Sequence, residues 1–351
     1  MAIKSLKLEN FTVFEELEMA FSPGINVFIG ENGTGKTHLL KVLYSLGKAT
    51  EASQLSSHNQ QQHIFWKIFL NSLNANFQAS HLEPGRLFRN YVDGKTPFPV
   101  SCGFGAAIDG VELWCTMWLE SEYEYDKTVE SLWSNQTQFI TTFIPAKDML
   151  THGGLEKDFL DRNLPFDTTL IDILNKAGVS TKKNLDKGSQ SLLDKIAAII
   201  GGKVVYKNDR YYINRDDIGP IEFALEAEGY KKLGLIYRLI ETGHICEGSA
   251  LFWDEPEANL NPKLIPVVVD ILLELARHGV QIFIATHDYV IAKYFEIRRT
   301  PNDTVLFHSL YKTDTGVKSE SNTNFRDLKE NPIITALDVL MDEVIDRNMG
   351  D

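Results

Sequence analysis

Gly30-Glu31-Asn32-Gly33-Thr34-Gly35-Lys36-Thr37 decides how this chain is read. A short apolar run, Ile25 to Ile29, precedes it, and Leu39, Leu40, Val42, Leu43 and Leu46 follow at helical spacing. Strand, glycine-rich loop and helix in that order are the context of a phosphate-binding loop. Without a Cβ, Gly30, Gly33 and Gly35 let successive backbone N–H groups point into one concavity. The helix that follows turns its free N–H groups and positive dipole end toward the same anion. Lys36 is then placed for the β- and γ-phosphates, and the Thr37 hydroxyl for Mg²⁺. Glu31, Asn32, Thr34 and His38 complete the candidate nucleotide contacts. The competing reading is a glycine turn before a core helix, and the flanking strand and helix favour the phosphate loop.

Around this loop lie 351 residues, enough for one large or two modest domains. Hydrophobic residues at 43% and charged residues at 24% fit a soluble globular chain. A net charge of −13 gives polyanion binding no support from composition, leaving only a local basic patch open. Cys102, Cys115 and Cys246 are odd in number and widely separated, which argues against disulfide frameworks and zinc ribbons. Met1 to Glu9 alternates charged and apolar residues too early for a signal peptide. No stretch approaches the roughly 20 apolar residues of a membrane helix. A cytoplasmic protein without a membrane partner is expected.

Residues 2–9 and Phe11 to Phe21 alternate as strands, and Pro23-Gly24 turns into the strand before the loop. The loop helix is expected to end near Gly47, and polar residues 48–62 to form a connection or helix surface. Ile64 to Phe77 carries an amphipathic pattern. Val100 to Ile108 and Val111 to Glu120 flank Asp109-Gly110, a hairpin signal, and a third run spans Gln138 to Ile144. Glu120, Glu122, Glu124 and Asp126 alternate along a strand end and read as a solvated face rather than a metal site. Asp167 can cap a helix over Thr168–Ala177, and Ser191 to Ile200 is a second helix stopped by Gly201-Gly202. A hairpin about Asn208-Asp209 follows. No heptad run or fixed-period repeat is present.

Ala250-Leu251-Phe252-Trp253-Asp254-Glu255 is an apolar strand closing on two acids, followed by Pro256-Glu257-Ala258-Asn259-Leu260. Carboxylates at the end of a buried strand require a cation or hydrogen-bond donors. Downstream of a phosphate loop, this assigns Asp254 to the Mg²⁺ shell and Glu255 to the attacking water. Asn261-Pro262 starts a capped helix running to His278. Val280 to Ala285 is another buried strand, ending in Thr286-His287-Asp288. Three strands thus deliver polar groups at their C-terminal ends, where open α/β sheets bind ligands. His287 is read as the γ-phosphate contact and Asp288 as a helix cap.

In their order and context, Gly30–Thr37, Leu251–Glu255, Glu257–Leu260 and Thr286-His287 resemble ABC-type ATPase heads. More narrowly, the chain is similar to the SMC/RecF/OLD group of AAA ATPases, whose members often open with Leu-x-Asn-Phe, here Leu8-Glu9-Asn10-Phe11. The resemblance covers residues 1–47 and 215–300 well and the middle loosely. It implies an α/β P-loop fold with a mixed sheet, an antiparallel N-terminal lobe and an inserted helical subdomain, with ATP and Mg²⁺ as ligands. The expected division is 1–147 for the first part of the nucleotide-binding lobe, 148–202 for the insert and 203–351 for the rest.

The resemblance also implies a signature loop that closes on the ATP of another subunit, here Glu226-Ala227-Glu228-Gly229-Tyr230-Lys231-Lys232-Leu233. Ala227 stands where the family has Ser and Glu228 where it has Gly, so only Gly229 fits as a nucleotide contact. Glu228 repels phosphate unless it points away, and activation in trans is then weaker or uses Lys231 or Lys232. The competing reading is a helix start with a permissive glycine. Phe143-Ile144-Pro145-Ala146-Lys147 resembles the start of the family's Q-loop, but no Gln follows and Gln138 is a poor substitute, so that residue is unassigned.

An ATPase that dimerises head to head around two ATP molecules is the function the resemblance implies. After Asp288 there is no Asp-x-Asp of a TOPRIM nuclease and no HNH-like cluster. The output is therefore expected in a separate effector, such as a nuclease or toxin in antiphage defence. The alternatives are a RecF-like DNA-repair ATPase closing on duplex DNA, a nucleotide-gated scaffold that hardly hydrolyses ATP, and an ABC transporter head.

Overall fold

The computed structural model describes residues 1–57, 60–77, 87–89, 101–118, 123–125, 139–153, 155, 159 and 167–349. Val100, Glu120, Glu122, Asp126 and Gln138 lie outside the described residues.

Strands β1 (Ile3–Phe11) and β2 (Phe14–Ala20) open the chain, and β3 (Ile25–Gly30) leads into the phosphate loop. After helices α1 (Lys36–Gln54) and α2 (Gln61–Phe77) come β4 (Ser101–Ile108), β5 (Val111–Trp118) and β6 (Tyr123–Tyr125). These join β1 and β2 in an antiparallel sheet ordered β2-β1-β4-β5-β6, the N-terminal lobe. The Asp109-Gly110 turn forms as expected, both residues at positive φ of 49° and 85°. Glu124 lies on β6 opposite Thr116.

A second sheet carries the site. Its strands are β7 (Thr141–Ile144), β11 (Ala250–Asp254), β12 (Gln281–Ala285), β13 (Val305–Thr313) and β14 (Gly316–Asn322) together with β3, ordered β14-β13-β3-β12-β11-β7. All run parallel except the edge strand β14. The central strands are apolar along their length because helices cover both faces. Phe28, Phe252 and Phe283 join one core with α1 and the N-terminal lobe, and Phe252 stacks on Phe283 at 5.0 Å. The alternate residues Val27, Ile29, Leu251, Trp253, Ile282 and Ile284 join the opposite core. Each such fully buried side chain contributes about 1.5–3 kcal/mol.

The opposite core is shared with α3 (Thr168–Gly178), α4 (Lys187–Ile200), α5 (Glu228–Glu241), α6 (Ile265–Arg277) and α7 (Tyr289–Arg298). Asp167 caps α3 by accepting from Thr169 N at 2.8 Å, and Gly201 ends α4 at φ 76°. The hairpin of β8 (Lys203–Lys207) and β9 (Arg210–Arg215) gains a third strand, β10 (Gly219–Glu222), absent from the sequence reading. The final helix is α8 (Pro332–Met349).

One expectation fails. Helix α1 does not stop at Gly47 but continues to Gln54. Gly47 is there for a close approach, since a Cβ would lie 2.2 Å from the Thr141 methyl carbon on β7. Among the described residues, no helix is long and apolar enough to cross a membrane.

Candidate nucleotide-binding site

β3 is buried along its length and ends at Gly30, where a Cβ would lie 2.5 Å from the Leu310 carbonyl oxygen on β13. Gly35 caps α1 at φ 88°, beneath Val13 and Phe14 of the β1–β2 turn. An L side chain fits neither position. Thr34 Oγ1 donates to the Glu31 carbonyl at 2.9 Å, pinning the loop, while Glu31, Asn32 and Gly33 are exposed. Lys36 folds back over the loop and donates to the Gly30 and Glu31 carbonyls at 2.8 and 3.0 Å. Burial holds its pKa below the usual lysine value, against the pull of Asp254, Glu255 and Glu257. His38 is engaged by Thr12 Oγ1 at 3.1 Å and the edge of the Phe77 ring. Burial keeps it neutral down to about 4, so at neutral pH it brings no positive charge to a phosphate.

Asp254 pairs in register with Ala285, and Ala285 with Phe28, so β11 and β12 end at one level while β3 runs two residues further into the phosphate loop. There Thr37 Oγ1 donates to Asp254 Oδ2 at 2.9 Å. Burial raises the Asp254 pKa, the Thr37 bond opposes that rise, and the neighbouring Glu255 adds to it. Glu255 leaves the strand at φ 47°, a left-handed conformation that is unusual for a non-glycine residue. Its N–H bonds to the Ala285 carbonyl at 2.9 Å, and its Oε1 lies 3.2 Å from His287 Nδ1. Thr286 N–H bonds to the Phe28 carbonyl, and Asp288 caps α7 by accepting from Ile291 N at 2.9 Å.

Two sets of contacts escaped the sequence reading. Thr286 Oγ1 donates to Glu257 Oε1 at 2.6 Å, tying the segment after β11 to the end of β12. Glu257 Oε2 is buried without a partner, and burial raises its pKa. Lys232, 7% exposed, donates from α5 to the Glu255 and Pro256 carbonyls at 3.2 and 3.1 Å. Its pKa is lowered to about 8 by burial. A lysine on the apolar face of a helix was the available signal.

The signature-like segment is held in cis. Ala227 occupies the N-cap of α5 and supplies no side-chain hydrogen bond. Glu228, in the first turn, pairs with Lys231 at 2.8 Å, and Lys231 also lies 3.8 Å from Asp148. Glu226 is paired with Arg215. Gly229 is buried, and a Cβ there would lie 2.4 Å from Leu264 Cδ1. Both lysines considered for action in trans are thus engaged within their own chain.

The donor set suits Mg·nucleotide: a hydroxyl and a carboxylate, both hard oxygen ligands, meet at the mouth of a backbone N–H cradle. Among the described residues no cluster of three His, Cys, Asp or Glu forms a separate metal cage.

Comparison with known proteins agrees with this fold. A family model described as "AAA domain, putative AbiEii toxin, Type IV TA system" matches residues 136–292, and one described as "AAA ATPase domain" matches residues 1–104. The DNA replication and repair protein RecF of Pediococcus pentosaceus is 35% identical over 104 residues, covering 25% of this chain and 28% of its own length. RecF of Listeria welshimeri is 41% identical over 70 residues, covering 19% of this chain and 17% of its own length. The chain therefore spans well under a third of these relatives. An SMC head domain from Thermotoga maritima superposes with a TM-score of 0.51 at 13% identity, covering 92% of this chain and 99% of that one. An SmcHead bound to the C-winged helix domain of ScpA gives 0.57 at 13% identity, covering 92% and 98%. At that identity the likeness concerns the fold.

Proposed function

We propose that the chain is an SMC/RecF-like ABC-type AAA ATPase head, that it hydrolyses ATP, and that ATP closes two copies head to head, switching a separate effector. The AAA family models, the RecF relatives and the SMC-head fold support this reading. The observation that supports this most is the 2.9 Å bond from Thr37 to Asp254, which joins the phosphate loop to the acidic strand end. In this reading Lys36 exchanges its bonds to the Gly30 and Glu31 carbonyls for phosphate oxygens. Thr37 and Asp254 would hold a Mg²⁺ ion, which neutralises phosphate charge when bound. Glu255 orients the attacking water and accepts its proton, with His287 steadying the carboxylate from 3.2 Å. The products are ADP and phosphate, and the loss of the γ-phosphate releases the partner head. The description of the model matching residues 136–292 names a putative toxin. That name fits an antiphage role beside a nuclease or toxin effector.

Steady-state ATP turnover tests the chemistry. Wild type is expected to hydrolyse ATP, and Glu255→Gln to lose roughly 10²–10⁴-fold in kcat while still binding nucleotide. Wild type that binds ATP without turning it over would favour a nucleotide-gated scaffold. The RecF relatives favour a second reading, a head that closes on duplex DNA. That reading requires a DNA affinity that depends on ATP and falls with salt.

A further inference from the structure

Among the described residues, helix α8 is held to the body by Glu330 and Asn331 just before it and by its first turn. Ser309 Oγ donates to the Glu330 carbonyl, and buried Asn331 donates to the Phe325 carbonyl at 2.9 Å and accepts from Ile334 N at 3.2 Å. Ile333 and Ile334 pack against the core. Beyond them, Leu340, Met341, Val344 and Ile345 are between 46% and 55% exposed. Isolated exposed apolar residues are ordinary, but a continuous row of them is a contact surface. Ile333, Leu337, Leu340 and Val344 recur at spacings of four, three and four, with Met341 and Ile345 beside them, so one stripe runs the length of the helix.

Charge selects what covers that stripe. Asp338, Asp342 and Asp346 form a row along one side at spacings of four, Glu343 adds a fourth acid, and Arg347 is the only cation of the helix. We propose that this face docks a separate protein through an amphipathic helix whose apolar stripe is rimmed by lysine and arginine. A second copy is a poor occupant: pairing two α8 helices antiparallel sets Asp338 of one against Asp342 of the other. A membrane surface is also a poor occupant, because interfacial helices carry lysine and arginine on their polar face. The net charge of −13 favours a basic partner in the same sense. The anchor adjoins the phosphate-loop strand: Ser309 pairs in β13 with Ile29 of β3, one residue before Gly30. The anchor of α8 is thus one strand away from the strand that carries the phosphate loop.

This surface rests on the reading that the output lies in another polypeptide. Two synthetic amphipathic helical peptides test it, sharing one leucine stripe but flanked by lysine in one and glutamate in the other. Fluorescence anisotropy with the full chain should show binding of the lysine peptide only, weakened about tenfold or more by Leu340→Glu. The double variant Asp338→Lys/Asp342→Lys should reverse the preference toward the glutamate peptide. Equal binding of both peptides, no binding of either, or indifference to both variants would overturn the proposal. So would a wild-type dimer without nucleotide that Leu340→Glu dissociates, which would make the occupant a second copy. ATP turnover separates the two readings, since Leu340→Glu should leave it unchanged. If wild type shows no turnover yet the lysine peptide binds with the expected preference, the switch fails and the docking surface stands.

Discussion

At the phosphate loop, the adjacent C-terminal ends of three parallel strands bring Lys36, Thr37, Asp254, Glu255 and His287 into one neighbourhood. At the start of α5, by contrast, Ala227 offers no cap, Glu228 is occupied by Lys231, and Lys232 bonds to the Glu255 and Pro256 carbonyls of its own chain. One region gathers hydroxyl, carboxylate, ammonium and imidazole groups bonded to one another around an exposed loop, and the other turns its polar groups onto the body of its own chain. In the free chain the signature-like segment therefore works inward: Lys232 bonds to the carbonyls of the left-handed turn that carries the Glu255 carboxylate. Glu228 does not threaten a phosphate while it is held beside Lys231.

The largest effect concerns whether the two regions are one cooperative body. His38 lies behind the phosphate loop, and His244 follows α5 at a pKa lowered to about 4, mainly by burial. His38 falls from about 6.5 in the unfolded chain to about 4 when folded, so the folded state disfavours its protonation. The stabilisation it confers is complete above 6.5 and is lost as pH falls toward 4. About 3 kcal/mol is at stake for His38, and less for the more solvated His244. Denaturant titrations between pH 7 and 4 should show one transition moving to lower midpoint. Two separate transitions would break the comparison by showing that the regions unfold independently.

A smaller effect sharpens the role of Lys232. Lys232→Met removes both hydrogen bonds to the Glu255 turn while keeping the aliphatic bulk. It should lower kcat about tenfold with KM nearly unchanged. A shift in KM at constant kcat would instead place Lys232 on the nucleotide. Smallest is Ala227→Ser, which supplies the missing N-cap and should stabilise the fold by about 1 kcal/mol in thermal or denaturant melts. A destabilised variant would mean that the α5 N-terminus is not the open cap seen here.

Much of the site was legible because local patterns carry it. Apolar runs ending in glycine or acid specify buried strands whose polar ends emerge together, so Lys36, Thr37, Asp254, Glu255 and His287 could be named before their geometry was known. The remainder depends on contacts between segments distant in sequence. Gly47 reads as a helix stop until the Thr141 methyl is found against it. β10 is too short and polar to announce a strand, and is defined by its pairing with β9. Lys232 reads as a candidate for action in trans until α5 packs beneath the Glu255 turn, and the Thr286–Glu257 bond joins two loops. No local pattern encodes such contacts.

The central claim is that ATP closes two heads, and light-scattering mass of Glu255→Gln with and without ATP tests it most directly. The account predicts a monomer without nucleotide and a stable dimer with ATP, because binding is retained while the hydrolysis that reopens the pair is blocked. A mass that does not change although ATP is bound would contradict it.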